Sequence, residues 1–202
     1  MNYLAIDTSG DLTVLLKVGD KKQTRYLKGC NTKHSLTLMP YIEEVLQDLS
    51  VNLNDLDFIA CVTGPGSFTG IRIGISTVKA LCFACNKPVL SLTSFDLLAY
   101  ADNAPSKSLC IINANHGNYY CAAYNDKNLV LQPCFLTEDQ IVNKTEEFGE
   151  IVVNEAIAWH NCVLADQLNG LERAIEKNLN KLICANQLLP LYVKRSQAEE
   201  QL

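Results

Sequence analysis

The run Val62, Thr63, Gly64, Pro65, Gly66, Ser67, Phe68, Thr69, Gly70 carries the strongest chemical signal in the chain. Glycine adopts backbone angles that other residues avoid and proline fixes φ, so Gly64, Pro65 and Gly66 end the apolar run from Phe58 to Val62 in a sharp turn. Ser67 or Thr69 is placed to cap a following helix. A strand, a glycine-rich turn and a helix start aim backbone N–H groups along a positive dipole end, where an anion can sit. The segment lacks the Gly-Lys-Ser/Thr ending with which a P-loop reaches phosphates and magnesium. Gly66, Gly70 and Gly74 also recur every four residues, which lets another backbone approach one face of the helix. Close packing is preferred over a phosphate cradle.

Other chemistry-bearing residues do not assemble by spacing. A metal pair on a helix needs histidines at i and i+4, whereas His34, His116 and His160 lie far apart. Nine cysteines are an odd number, and Cys61, Cys110, Cys121 and Cys184 sit in apolar runs, so they read as buried thiols. Cys82 and Cys85 form a lone C-x-x-C with no second pair of ligands. No nucleophile elbow or Cys–His arrangement is visible. No catalytic residue and no metal site is predicted.

Composition sets further bounds. The chain has 202 residues, enough for one domain or two small lobes. A net charge of −5 argues against a chain that grips nucleic acid by itself, so any RNA contact needs a partner's cations. No apolar run stands out at the roughly 18 residues of a membrane span. The start meets Asp7 at once and has no basic segment, so no signal peptide is expected. A cytoplasmic protein is the expectation.

The elements that must position these residues follow from periodicity. Residues 3–7, 12–18 and 23–28 read as strands, with Gly19 and Asp20 as a tight turn. Leu36, Met39, Ile42, Val45, Leu46 and Leu49 recur at helical steps, with Ser35 as a candidate cap and Pro40 marking a kink or a short first turn. Residues 58–62 form a strand and 68–85 a helix. Residues 88–92 give a strand, and Thr93 with Ser94 caps a helix to about Ala101. The order βββαβαβα predicts a mixed sheet with helical cover.

Residues 102–107 are polar and are the expected lobe boundary, giving lobes at 1–102 and 103–202. The second half repeats the plan in reduced form. Strands are expected at 108–113, 118–124, 129–131 and 150–153, and Thr137 to Gln140 forms a capping box. The capping box starts a short helix, and after the strand at 150–153 helical patterning is expected to about Leu182, broken near Asn169 and Gly170.

Together with Ala5, Ile6, Asp7, Thr8, Ser9 and the ending Pro190, Leu191, Tyr192, Val193, Lys194, Arg195, the glycine-rich string Gly64 to Gly74 closely resembles the bacterial TsaB family. The likeness covers most of residues 1–100, fades, and returns at 190–199. The resemblance implies an α/β, two-lobe actin-like ATPase (ASKHA) fold with a reduced second lobe. It implies a non-catalytic subunit in forming threonylcarbamoyladenosine beside the tRNA anticodon.

In nucleotide-using members of that fold, the turn after the first strand holds phosphate or a metal-bound water. Asp7, Thr8, Gly64 and Gly66 are therefore the candidate cofactor-binding residues, as a vestigial site. Their side chains equally cap turns. The second lobe has Asn113, Ala114 and Asn115 where an acid is useful, and no glycine pair follows at Asn154, Glu155 and Ala156. ATP turnover is not expected, and no cofactor of its own is. The partners expected are the catalytic paralogue TsaD and the small P-loop ATPase TsaE, which would use ATP, magnesium and a divalent metal. The resemblance also implies a dimer face on the helices at 35–49 and 68–85, here Leu36, Met39, Gly70, Ile71, Arg72, Gly74 and Val78. That face would form a homodimer when the chain is alone. Arg72 has two open readings, an interfacial ion pair or a solvated position. The alternatives are a nucleotide-dependent transferase using Asp7, Thr8 and the Gly64 turn, or a metallopeptidase. Residues 194–199 suggest a docking tail.

Overall fold

The structure, a computed structural model, describes residues 1–29, 33–157 and 162–194. In chain order the first elements are β1 (Asn2–Asp7), β2 (Leu12–Val18), β3 (Lys21–Leu27), α1 (His34–Asp48), β4 (Phe58–Val62), α2 (Phe68–Cys85), β5 (Val89–Leu92) and α3 (Ser94–Tyr100). They are followed by β6 (Lys107–Asn113), β7 (Asn118–Asn125), β8 (Asn128–Thr137), α4 (Glu138–Phe148), β9 (Glu150–Val153), β10 (Cys162–Leu164), α5 (Gln167–Lys177) and β11 (Leu182–Ile183).

Two compact units result. One holds Met1–Thr93 and Ile175–Pro190, the other Ser94–Ala174 with residues 191–194. The expected division at residue 102 is therefore corrected on two counts. Phe95, Leu98 and Ala99 of α3 bury against Cys110, Ile112, Ala122 and Val152 of the second sheet, so α3 belongs there. The chain then returns to the first unit, where Leu182 and Ile183 pair antiparallel with Leu90 and Val89.

In the first unit the sheet order is β11-β5-β4-β1-β2-β3. β1 runs antiparallel to β2 and parallel to β4, and β4 runs parallel to β5. Alternation decides the faces. Leu4 and Ile6 of β1, Val14 and Leu16 of β2, and Ile59 and Cys61 of β4 form one buried cluster with Leu38, Ile42 and Val45 of α1. Ile71, Ile75, Val78 and Cys82 of α2 join the same cluster, so both helices cover one face of the sheet. Arg25 of β3 ties the sheet edge to α1 through Glu44 at 2.7 Å and Asp48 at 2.5 Å.

In the second unit the order is β10-β9-β6-β7-β8. β6 again pairs antiparallel with its hairpin neighbour and parallel with β9, so the strand plan of the first unit is repeated. Alternate residues of β6 serve two faces. Cys110 and Ile112 meet α3, while Leu109 and Ile111 meet Ile141 of α4. The backbone N–H of Thr137 donates to Gln140 Oε1 at 2.9 Å, part of the capping box expected there.

Several local expectations give way to tertiary contacts. α1 begins at His34, so Ser35 lies inside its first turn and does not cap it, and the helix runs through Pro40. β8 extends to Thr137 by pairing with β7 through register shifts near Ala123. Residues 162–164 form a strand on β9, not a helix. Gly170 sits within α5 because its missing side chain admits the Leu97 carbonyl; a Cβ there would collide with it. Finally, α2 alone among the described residues has the length and composition of a membrane span. Its buried stripe from Gly70 to Cys82 packs on the sheet, which is how the core helix of a globular unit meets the same test.

Candidate functional site

The turn after β1 and the turn before α2 meet within the first unit. Asp7, Thr8 and Ser9 are all buried, at 7%, 1% and 8% exposure. The Asp7 carboxylate accepts the Ser9 backbone N–H at 2.8 Å, an Asx turn that ends the strand. Burial pushes the Asp7 carboxyl above its ordinary range, against the pull of its hydrogen bonds from Ser9. The Thr8 hydroxyl donates to the Gly70 carbonyl at 2.8 Å, and the Ser67 N–H donates to the Ser9 carbonyl at 2.5 Å. Ser67 caps α2, its hydroxyl accepting the Gly70 N–H at 3.2 Å. The Gly64–Pro65 peptide is cis.

The glycine ladder explains why the approach is so close. A Cβ on Gly66 would strike the Ser9 carbonyl, one on Gly70 the Thr8 carbonyl, and one on Gly74 the Thr8 hydroxyl. The backbone that approaches the ladder is therefore the chain's own β1 turn. Two of the N–H groups available to an anion at this helix start, those of Ser67 and Gly70, are already engaged within the chain. The preferred packing reading describes what is seen. Gly64 stands at φ 104° before this turn, a conformation that glycine tolerates.

The ladder's position corrects part of the expected partner face. Gly70, Ile71, Gly74 and Val78 are buried in the chain's own core and offer no surface to another molecule. Ile75 is likewise buried. Leu36 at 75% and Met39 at 41% do face outward, as does the exposed Arg72. The same outward side of α2 carries Phe83, 89% exposed. Arg72 lies 4.1 Å above the Phe68 ring, a cation–π contact, at the edge of a groove of about 530 Å³.

His34 is buried at the start of α1. Its Nδ1 would stand 2.9 Å from a Cβ on Gly70, so the absent side chain makes room for the ring. Burial lowers its pKa, outweighing the opposing influence of the Gly10 backbone and Asp11. His116 is exposed in the β6–β7 turn, and His160 lies outside the described residues. Among the described residues no three His, Cys, Asp or Glu side chains converge as a metal site. In that turn the Asn115 N–H donates to Asn113 Oδ1 at 2.8 Å, so Asn113 supports the turn. Cys61, Cys82, Cys110 and Cys121 are buried free thiols. Burial raises Cys82, Cys110 and Cys121 to about 12 each. Cys184, expected to be buried, is exposed.

Comparison with known proteins fits this arrangement. The family model described as TsaD, tRNA N6-adenosine threonylcarbamoyltransferase, matches residues 28–145. The chain is 31% identical over 148 residues to the tRNA threonylcarbamoyladenosine biosynthesis protein TsaB of Buchnera aphidicola subsp. Schizaphis graminum, covering 71% of this chain and 70% of that one. It is 33% identical to the protein of the same name from Bacillus subtilis, covering 65% of this chain and 58% of that one. In fold it is similar to YeaZ from Pseudomonas aeruginosa, with a TM-score of 0.76 at 24% identity, covering 95% of this chain and 99% of that one. That match shows the same fold, in keeping with the mixed α/β arrangement of the two sheets. The chain belongs to the TsaB family of tRNA threonylcarbamoyladenosine biosynthesis proteins, within the broader group that the TsaD model describes.

Proposed function

We propose that this chain's part in tRNA threonylcarbamoyladenosine biosynthesis is that of a non-catalytic subunit. It stabilises the active conformation of the catalytic paralogue TsaD, with the P-loop ATPase TsaE as a further partner, in the cytoplasm. The observation that carries the reading is the outward side of α1 and α2, where Leu36 and Phe83 stand 75% and 89% exposed on helices otherwise anchored in a core. Large apolar side chains that the core leaves uncovered on these two helices are what a partner surface would use. The β1 turn supports the non-catalytic part. The Thr8 hydroxyl and the Ser67 and Gly70 N–H groups, the donors a phosphate would use, are committed to the chain's own backbone. Asp7, Thr8, Gly64 and Gly66 thus remain as structure rather than as a working nucleotide site. ATP, magnesium and a divalent metal belong to the partners. A subunit of this kind acts by binding one state of its partner better than the other.

The test is tRNA modification in a reconstituted mixture of TsaD, TsaE, substrates and this chain, against the same mixture lacking the chain. Modification that needs the chain, with no modification when TsaD is withheld, supports the proposal. Equal modification in both mixtures overturns it. Direct ATP titration of the isolated chain separates the transferase alternative, which requires saturable binding.

A further inference from the structure

Two cysteines of the second unit stand directly opposite each other. β7 and β8 pair antiparallel, and their register sets Cys121 against Cys134. Residues so opposed share a face of the sheet, and both join the apolar cluster of Leu109, Ile111 and Ile141 on the α4 side. The next pair in register, Tyr120 and Phe135, brings its rings together at 5.8 Å, with Tyr120 packed on the α3 side, as alternation requires. Opposed residues of an antiparallel pair have Cα atoms about 4.5–5.5 Å apart, inside the roughly 4.4–6.8 Å that a disulfide spans. Both thiols are free. No other two cysteines of this unit are so placed among the described residues. Cys110 packs with α3 on the opposite face. Cys162 on β10 is three strands from β7 and four from β8, at least about 14 Å at ordinary strand spacing.

The two thiols differ in access. Cys121 is fully buried, whereas Cys134 is half-buried on the strand that ends the sheet. The sulfurs are close enough that Cys134 adds to the rise that burial imposes on the Cys121 thiol. Burial raises the Cys134 thiol too, and the Lys144 ammonium of α4 opposes this by favouring the thiolate. A small oxidant therefore meets Cys134 first, with Cys121 behind it. We propose that Cys121 and Cys134 are an oxidation site, joined by hydrogen peroxide in a disulfide that clips the edge strand β8 to β7. First the Cys134 sulfur attacks one peroxide oxygen and the O–O bond breaks. The sulfur becomes a sulfenic acid, and the other oxygen leaves as water with the proton that the thiol gave up. The Cys121 sulfur then attacks the sulfenyl sulfur, the S–O bond breaks, and the hydroxyl leaves as water with the Cys121 proton. Two thiols lose two electrons, which reduce one peroxide to two waters. The clip has something to hold, because the β7–β8 register shifts between Cys121 and Ala123 and again before Tyr124. An interrupted ladder at a sheet edge opens more readily than a central one.

Peptide mapping of the full chain after mild hydrogen peroxide treatment tests it. Circular dichroism before and after treatment checks that the chain reacted while folded. Chymotrypsin is the protease of choice, since cleavage at Tyr120 separates Cys110 from Cys121. The expected product is one linked pair of peptides holding Cys121 and Cys134, lost when dithiothreitol is added. In Cys121→Ala, Cys134 should stop at the sulfenic acid, which dimedone traps. In Cys134→Ser, Cys121 should stay reduced, because no neighbour hands the oxidation inward. Backbone amide exchange over residues 129–136 should slow roughly tenfold or more on oxidation and recover on reduction. The parent's map decides the matter even if the Cys121 variant fails to fold. Cys134 driven to the sulfinic acid without a link, a link through Cys110 or Cys162, or a link formed only in denaturant each overturns the inference. A link that leaves amide exchange in β8 unchanged overturns the clip.

Discussion

The Thr8 hydroxyl donates to the carbonyl of Gly70, 62 residues later, at 2.8 Å, and this one bond joins the β1 turn to the first turn of α2. It exists because Gly70 and Gly74 present bare backbone to Thr8. The same bond engages a donor that an anion at this turn would need.

Side chains at these glycines are therefore expected to damage the fold. Gly70→Ala drives a methyl into the Thr8 carbonyl, a backbone atom that cannot swing aside, and Gly74→Ala meets the Thr8 hydroxyl, which can rotate at the loss of its bond. Overpacking of this kind costs about 1–3 kcal/mol. The denaturant midpoint should fall for both, further for Gly70→Ala. An unchanged midpoint for Gly70→Ala would show that the turn is looser than described.

His34 gives the fold a pH dependence. Its pKa is lowered by burial, so the unfolded chain binds the proton more readily. Stability from this group is complete above the ordinary histidine value of about 6.5 and falls as pH drops below it. His34→Gln removes that titration, so its stability relative to the parent should improve steadily as pH is lowered from 7 to 5. Parallel curves for the two proteins would place the His34 ring in solvent.

The thiols should react in an order set by burial. Cys184 is exposed, whereas burial holds Cys61, Cys82, Cys110 and Cys121 protonated at neutral pH. Because the thiolate is the nucleophile, mass spectrometry after brief alkylation should find Cys184 modified and those four only after denaturant is added. Modification of Cys82 together with Cys85 in the native state would revive a redox reading of the C-x-x-C pair.

Local periodicity made most elements of the first unit legible. Alternation in β1 and β2 follows from burying one face, and helical steps found Ile42 and Val45 of α1, but Leu38 holds the core position in the first turns where Leu36 and Met39 were expected. The four-residue glycine spacing was likewise legible as close packing, but not what it packs against. Thr8 and Ser9 approach the ladder from across the fold, and no local rule encodes that contact. The same limit explains the misplaced α3, whose apolar residues fit either sheet by pattern and are assigned only by contact with Cys110 and Val152. β11 is two residues long, too short to have a period, and exists only through Leu90 and Val89. Apolar residues on α2 could not be divided into core and surface without knowing that Gly70 and Gly74 face inward, which is why Ile71 and Val78 were expected outside.

The outward residues then make the most direct prediction about function. Leu36→Asp and Phe83→Asp change side chains that are 75% and 89% exposed, so stability should move by no more than about 0.5 kcal/mol. If this face captures TsaD, a buried charge at its centre should cost about 2 kcal/mol or more, a loss of roughly 30-fold in affinity. Val142→Asp is the control, since Val142 is 65% exposed on α4 and lies outside the face. Surface binding of TsaD to each variant, read beside its thermal melt, checks this. Loss with Leu36→Asp and Phe83→Asp but not Val142→Asp assigns capture to α1 and α2, because all three introduce the same charge at an exposed apolar position and differ only in place. Equal affinity for all three would remove the apolar side of these helices from the binding surface, and the exposure of Leu36 and Phe83 would need another cause.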